Sequence, residues 1–162
     1  LAVARELMVP FETLKRLEVE MPLGRNRRLR IGGITIFDET YNASPESVLA
    51  SLDLLAAESG RRFVVLGMMK ELGDQTIFFH RQIAERVLHL ELDGLVIVAK
   101  GSEAEVMLSV ASSLKYLEVV SEPEQAVVPL QAWLKDGDSL LLKASRSVSL
   151  ERLLPLITDV YS

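Results

Sequence analysis

Two consecutive acids, Asp38 and Glu39, close an apolar run that begins at Ile34, and a tyrosine and an amide, Tyr41 and Asn42, follow at once. Paired carboxylates at the end of a strand can bind ribose hydroxyls, hold a metal or act as bases. The plain alternative is that they complement a helix N-terminus. Tyr41 offers a flat face and Asn42 an amide, a pair suited to packing on and reading a purine, or else simply to making a turn. A second group lies near the other end of the chain, where Lys143, Ser145 and Arg146 form a cationic loop apt for a carboxylate or a phosphate. A third polar stretch, Met68–Asp74 (MMKELGD), lies between them. His80 and His89 are too far apart along one helix to share a metal, and they read as helix-surface histidines.

These groups need a scaffold that brings them together. Ile34–Asp38 reads as a strand, and Ser44 as an N-cap with Pro45 at the first helical position, where its missing N–H costs nothing. Val48, Leu52, Leu55 and Ala56 give that helix its buried stripe, and Gly60 ends it. Arg62–Gly67 is a continuous apolar run of the kind buried on both faces in a parallel sheet. A helix from about Asp74 follows, with Phe79, Ile83, Val87 and Leu90 inward, then a strand at Leu95–Ala99. Ser102–Glu105 and Ser121–Glu124 carry the pattern of capping boxes. Tyr116–Val120 and Ser139–Lys143 complete the strands, separated by a helix closing at Trp133 and Leu134 and a turn at Asp136-Gly137-Asp138. Leu150–Val160 forms a last helix with Leu153, Leu154 and Ile157 buried.

Ahead of all these, Arg27–Ile31 is a basic strand joined to Ile34–Asp38 through Gly32-Gly33, a hairpin signal. The expected fold is therefore α/β, a doubly wound, mostly parallel sheet with one antiparallel edge strand. Three polar loops, 38–44, 68–74 and 144–149, fall at carboxyl ends of strands, the edge where ligands bind in open α/β sheets. Leu1–Met8 and Phe11–Glu18 read as short helices before a linker at Met21–Gly24, and the chain reads as a piece of a longer protein.

Bulk properties bound the function. The chain has 162 residues, nearly half of them apolar, enough to bury a real core in one domain. Its net charge of -5 argues against a nucleic-acid partner, although Arg25, Arg27, Arg28 and Arg30 make a local basic cluster. The absence of cysteine excludes a disulfide framework and thiolate metal sites and suits the cytosol. No apolar run approaches the roughly 18 residues that would cross a membrane. No G-x-x-x-x-G-K-[ST] loop is present to cradle a triphosphate, and no G-x-G-x-x-G follows the first strand. A response-regulator receiver shares the paired acids and late lysine, but Arg62–Gly67 ends in Gly67-Met68 where a receiver needs its aspartate nucleophile.

Three segments, FDETYNASPES, VVLGMMKELGD with the following His80, and LLLKASRSVSLE, resemble the Mur ligases. Within that family they are most similar to the branch that joins D-alanyl-D-alanine to UDP-N-acetylmuramoyl-tripeptide, whose usual patterns look like DDSYNANPDS, LGDMLELG with a later histidine, and KGSRS. Gly24-Arg25 resembles the family's Gly-Arg element. The resemblance implies a Rossmann-like C-terminal domain over residues 23–162, with 1–22 the tail of a preceding central domain. It implies ATP and Mg2+ as cofactors, the metal held mainly by that central P-loop domain, and packing against the protein's own N-terminal and central domains in the cytoplasm.

By position, Arg25, Asp38, Glu39, Tyr41 and Asn42 are implied at the ATP, and Lys143, Ser145 and Arg146 on the D-alanyl-D-alanine side, with no catalytic nucleophile and no metal ligand among them. The domain alone is not expected to turn over. The chain departs from the family's usual pattern at four places. Glu39 stands for Asp, Ser44 for Asn and Met68 for Asp, and Ala144 stands for a Gly whose replacement costs strain if the backbone there needs positive φ. A free-standing α/β binding module and a sister amino-acid ligase remain open as alternatives.

Overall fold

The computed structural model describes residues 24–162. The two short helices expected at 1–8 and 11–18, and most of the linker, lie outside them. Six strands run β1 Arg27–Ile31, β2 Ile34–Glu39, β3 Arg62–Gly67, β4 Gly94–Val98, β5 Tyr116–Val120 and β6 Ser139–Lys143. Among the described residues five helices, α1 Pro45–Ala56, α2 Thr76–His89, α3 Ser102–Val110, α4 Val127–Trp133 and α5 Leu153–Tyr161, connect or close them, with short 3-10 turns between. The sheet order is β1-β2-β6-β3-β4-β5. The β1–β2 pair is antiparallel and every other pair is parallel. Gly32 and Gly33 supply the hairpin turn with φ of 52° and 78°.

The sheet separates two apolar layers because its central strands are buried on both faces. Val64, Leu66, Leu95, Ile97 and Leu141 face α1, α2 and α3, where Val48, Leu52, Ile83, Val87 and Met107 meet them. Phe63, Val65, Val96, Leu140 and Leu142 face the opposite way onto Leu130, Leu153 and Ile157 of α4 and α5. This alternation along each strand makes the fold doubly wound. Among the described residues no helix is long and apolar enough to cross a membrane.

The topological feature that matters most is the insertion of the last strand, β6, between β2 and β3. Its final rung pairs Lys143 with Glu39 on one side and with Leu66 on the other. The loops that leave β2, β3 and β6 are therefore neighbours at one edge, although the chain visits them far apart.

Several local expectations are corrected. α1 stops at Ala56 rather than running to Gly60, and Gly60 (φ 80°) turns the chain into β3. Ser102 does not cap α3, since Gly101, with φ 69°, opens that helix and Ser102 already lies inside the first turn. The second expected box is shifted by one residue. The Gln125 side-chain oxygen accepts from the N–H groups of Ser121 and Glu122, while Glu124 pairs with Arg152. At α1 the expected cap is present, and Ser44 and Ser47 satisfy each other's backbone N–H groups.

Ala144 carries no strain, because it is absent from the residues with positive φ. Its methyl occupies space left by Gly67, where an added Cβ would come within 2.5 Å of it.

His80 is the clearest correction. It is 1% exposed rather than on the surface. Its Nε2 accepts from the Met69 N–H at 3.1 Å, so Nδ1 carries the proton and donates to the Thr76 carbonyl at 2.7 Å. Helical spacing was a usable signal, because His80 precedes Ile83, Ala84 and Val87 on one buried stripe of α2.

Candidate functional site

The site begins where β2 ends. Asp38 is 2% exposed and points inward, accepting from Thr40 Oγ1 at 2.7 Å, from the Thr40 N–H, and from Arg27 of β1 at 3.3 Å. Glu39 points to the other face. Its Oε2 accepts from Lys143 Nζ and from Ser51 Oγ of α1, both at 2.8 Å. Both acids are thus anchored at the base of the loop that carries Tyr41 and Asn42.

Tyr41 is tied by its own N–H to the Gly24 carbonyl at 2.9 Å. Gly24 has φ 79°, and a side chain there would meet Thr40 Oγ1 at 2.6 Å. Only glycine allows this approach, which places the next residue, Arg25, with its guanidinium 4.0 Å from the centre of the Tyr41 ring. Arg146, arriving from the far end of the chain, places its guanidinium 5.0 Å from the same ring. Both lie within the roughly 6 Å range of a cation–π contact. Among the described residues neither has a carboxylate at ion-pair distance.

The β3 loop forms the facing wall. His80 holds the Met69 N–H, and the Met68 carbonyl accepts from the Ser145 N–H at 3.1 Å, which staples the β3 and β6 loops together. Tyr41, Asn42, Lys70, Glu71, Ser145 and Arg146 line a cleft of about 800 Å³ between the three loops. Glu71 takes φ 62°, one of four non-glycine residues in the left-handed region among the described residues. Such conformations gather where the surroundings over-determine the backbone.

Of the residues singled out in the sequence, Tyr41, Asn42, Ser145 and Arg146 reach the cleft, and Arg25, Glu39 and Lys143 line the recess beside it. Asp38 lines an adjoining pocket under Arg27 and Leu154. Lys143 is 3% exposed and turns its ammonium inward, to Glu39 and to the Asn42 carbonyl at 3.3 Å.

Sequence reasoning passed over Lys70, Lys100, Glu122 and Arg152, which line a second recess of about 300 Å³ along the same edge. Lys70 lies in a loop already marked as polar, and Lys100 directly follows β4, so position alone was a usable signal. The Lys100 ammonium, hydrogen-bonded at 2.8 Å, holds the Glu122 carboxyl below its ordinary range, and Arg152 adds to the effect.

The arrangement is suited to binding rather than bond making. It presents an aromatic face, unpaired cations for anionic groups, and polar backbone. Among the described residues no three His, Asp or Glu side chains gather to hold a metal ion. Asp38 and Glu39 point to different partners, so the residues present do not fit a Mg2+ site.

Comparison with known proteins gives this geometry a context. Residues 24–146 match the family described as Mur ligase, glutamate ligase domain. A UDP-N-acetylmuramoyl-tripeptide–D-alanyl-D-alanine ligase from Synechocystis sp. is 42% identical over 153 residues, covering 93% of this chain and 34% of that protein. The crystal structure of MurF ligase from Thermotoga maritima in complex with ADP is similar at a TM-score of 0.82 and 32% identity, over 99% of this chain and 36% of that one. A MurF structure from Acinetobacter baumannii gives a TM-score of 0.78 at 28% identity. The chain spans about a third of the length of these relatives.

Proposed function

The chain belongs to the Mur ligase family through its glutamate ligase domain, and from that premise we propose that it serves as the C-terminal domain of an ATP-dependent, cytoplasmic D-alanyl-D-alanine-adding ligase. In that reading residues 1–22 are the tail of the preceding central domain. The reaction transfers the γ-phosphoryl group of ATP to the carboxylate of UDP-N-acetylmuramoyl-tripeptide, giving an acyl phosphate and ADP. The amine of D-alanyl-D-alanine attacks the acyl carbon, the amide forms, and phosphate leaves. In this reading Mg2+ would be held mainly by the central domain and would supply charge compensation at the phosphoryl group.

The residues of this chain position and compensate charge, which carries much of the catalysis in phosphoryl transfer. Tyr41 and Asn42 form the platform for the base, with Arg25, Asp38 and Glu39 on the ribose and phosphate side. Ser145 and Arg146 face the carboxylate of the dipeptide, with Lys143 behind them. A guanidinium is the fitting partner for a carboxylate, which it can bind through two parallel N–H groups.

The observation that carries this reading is the Tyr41 ring, bracketed by Arg25 and Arg146 at the rim where the β2, β3 and β6 loops meet. The test is Tyr41→Ala in the full-length ligase. It is expected to raise the KM for ATP about tenfold, the equivalent of one lost stacking contact, while the KM for D-alanyl-D-alanine stays within about threefold. An unchanged KM for ATP overturns the assignment.

A further inference from the structure

The β2 loop that carries Tyr41 and Asn42 spans only residues 40–44 between β2 and α1, and a buried charge pair lies directly beneath it. Lys143 and Glu39 are opposite each other on the last rung shared by β6 and β2. The Lys143 side chain is 4% exposed and that of Glu39 is 19% exposed. Lys143 Nζ places two of its three donors on Glu39 Oε2 and on the Asn42 carbonyl, so it bridges the strand end to the middle of the loop. The Ser51 hydroxyl of α1 lies 2.8 Å from the same Glu39 oxygen and 2.8 Å from the Ser47 carbonyl, sharing its one proton between them. Three elements converge on one atom, and Glu39 Oε1 is left without a protein partner among the described residues. The pair forms the floor of a recess of about 350 Å³ that Arg25, Asn42 and Ser47 also line.

We propose that Lys143 is a positioning residue for the nucleotide wall of the cleft: it fixes the Glu39 carboxylate and the Asn42 backbone, and so sets the height of the Tyr41–Asn42 platform. This rests on the function proposed above and assigns Lys143 a different task from direct contact with the dipeptide. With two N–H groups on a carboxylate and a carbonyl and the side chain 4% exposed, the ammonium serves the loop first. Without Lys143, Glu39 is left partly buried and unpaired, and the loop loses its central tie.

The experiment has two arms. In the 162-residue chain, Lys143→Met is expected to raise hydrogen exchange at the Thr40 and Tyr41 amides about tenfold, with the Met69 amide, held by His80, unchanged. In the full-length ligase the same variant is expected to raise the KM for ATP about tenfold and the KM for D-alanyl-D-alanine less than threefold, with Lys143→Arg recovering most of the loss. Ser51→Ala, which removes one bond and leaves the ion pair, is expected to give the same pattern at about threefold, and it decides the matter if Lys143→Met does not fold. Unchanged exchange at Thr40 and Tyr41, or a dipeptide KM that rises more than the ATP KM, overturns the proposal. Absence of D-alanyl-D-alanine-dependent activity in the unsubstituted ligase would instead remove the functional reading, and the exchange arm would still decide whether Lys143 holds the loop.

Discussion

The two edges of the sheet are both charged, but they use charge differently. At the amino edge, Arg61 donates to both oxygens of Asp138, at 3.1 and 2.6 Å, and to the Trp133 carbonyl. Asp138 also accepts from the Lys135 N–H, and Asp93 accepts from the Arg62 N–H. Beside them Phe63, Tyr116 and Trp133 pack with ring centroids 5.6 to 6.4 Å apart. Each of these polar groups closes on another within the domain, and the result is stability. At the carboxyl edge Glu39–Lys143 and Lys100–Glu122 are also paired, but Arg25 and Arg146 meet an aromatic ring and, among the described residues, no carboxylate, and Asn42 and Lys70 are exposed. A charge with no carboxylate or carbonyl partner is the better marker of function, since a satisfied one already has its role.

That contrast can be broken or sharpened by substitutions at each edge. The largest effect is expected for Asp138→Ala, which strands the Arg61 guanidinium and the Lys135 N–H. It should cost about 3 kcal/mol in chemical unfolding and leave both substrate KM values of the full-length ligase within about twofold. A shift in KM for ATP would show that the amino edge is not purely structural. Gly67→Ala, at the staple between the β3 and β6 loops, drives a methyl against Ala144 and Val148. It should cost about 2 kcal/mol and raise both KM values together. Stability loss without a kinetic change would mean that the loops do not share one wall.

Arg146→Ala is expected to raise the KM for D-alanyl-D-alanine about tenfold, the loss of one charge-assisted contact, with unfolding unchanged within about 0.5 kcal/mol. Equal effects on ATP and dipeptide would remove the division of the cleft.

The smallest effect is expected at Tyr161, whose hydroxyl donates to the Leu130 carbonyl at 2.9 Å. Burial, with the negative charge of Asp138 adding to it, pushes the Tyr161 phenol above its ordinary value. The folded chain therefore keeps this proton at a pH where the unfolded chain has begun to release it. The resulting stability is fully present below about pH 10 and is lost as pH rises through the folded value. Tyr161→Phe should cost about 1 kcal/mol at neutral pH and flatten the alkaline decline of the unfolding curve.

How much of this was legible in the sequence follows from how local each signal is. β3, β5 and β6 fall where the apolar runs place them, and the Gly32-Gly33 hairpin sets β1 against β2, because strand burial and turn geometry are written in neighbouring residues. The caps at Ser102 and Ser121 were misplaced by a residue because Gly101 and Gln125 offered competing local solutions. His80 was misread because its partner, the Met69 N–H, belongs to a loop whose path depends on how α2 packs. The Lys143–Glu39 pair was invisible for a topological reason. It exists only because β6 inserts beside β2, and nothing near either residue records that adjacency. The same insertion brings Tyr41 and Arg146 together, at the edge where polar loops recur at carboxyl ends of strands.

Photolabelling of the full-length ligase with 8-azido-ATP, followed by peptide mapping, tests the central claim most directly, because it asks which edge of the sheet the adenine meets. The label is expected on the peptide containing Tyr41 and Asn42, with unlabelled ATP protecting it. A label confined to peptides around Arg61 and Asp138, at the opposite edge, would contradict it.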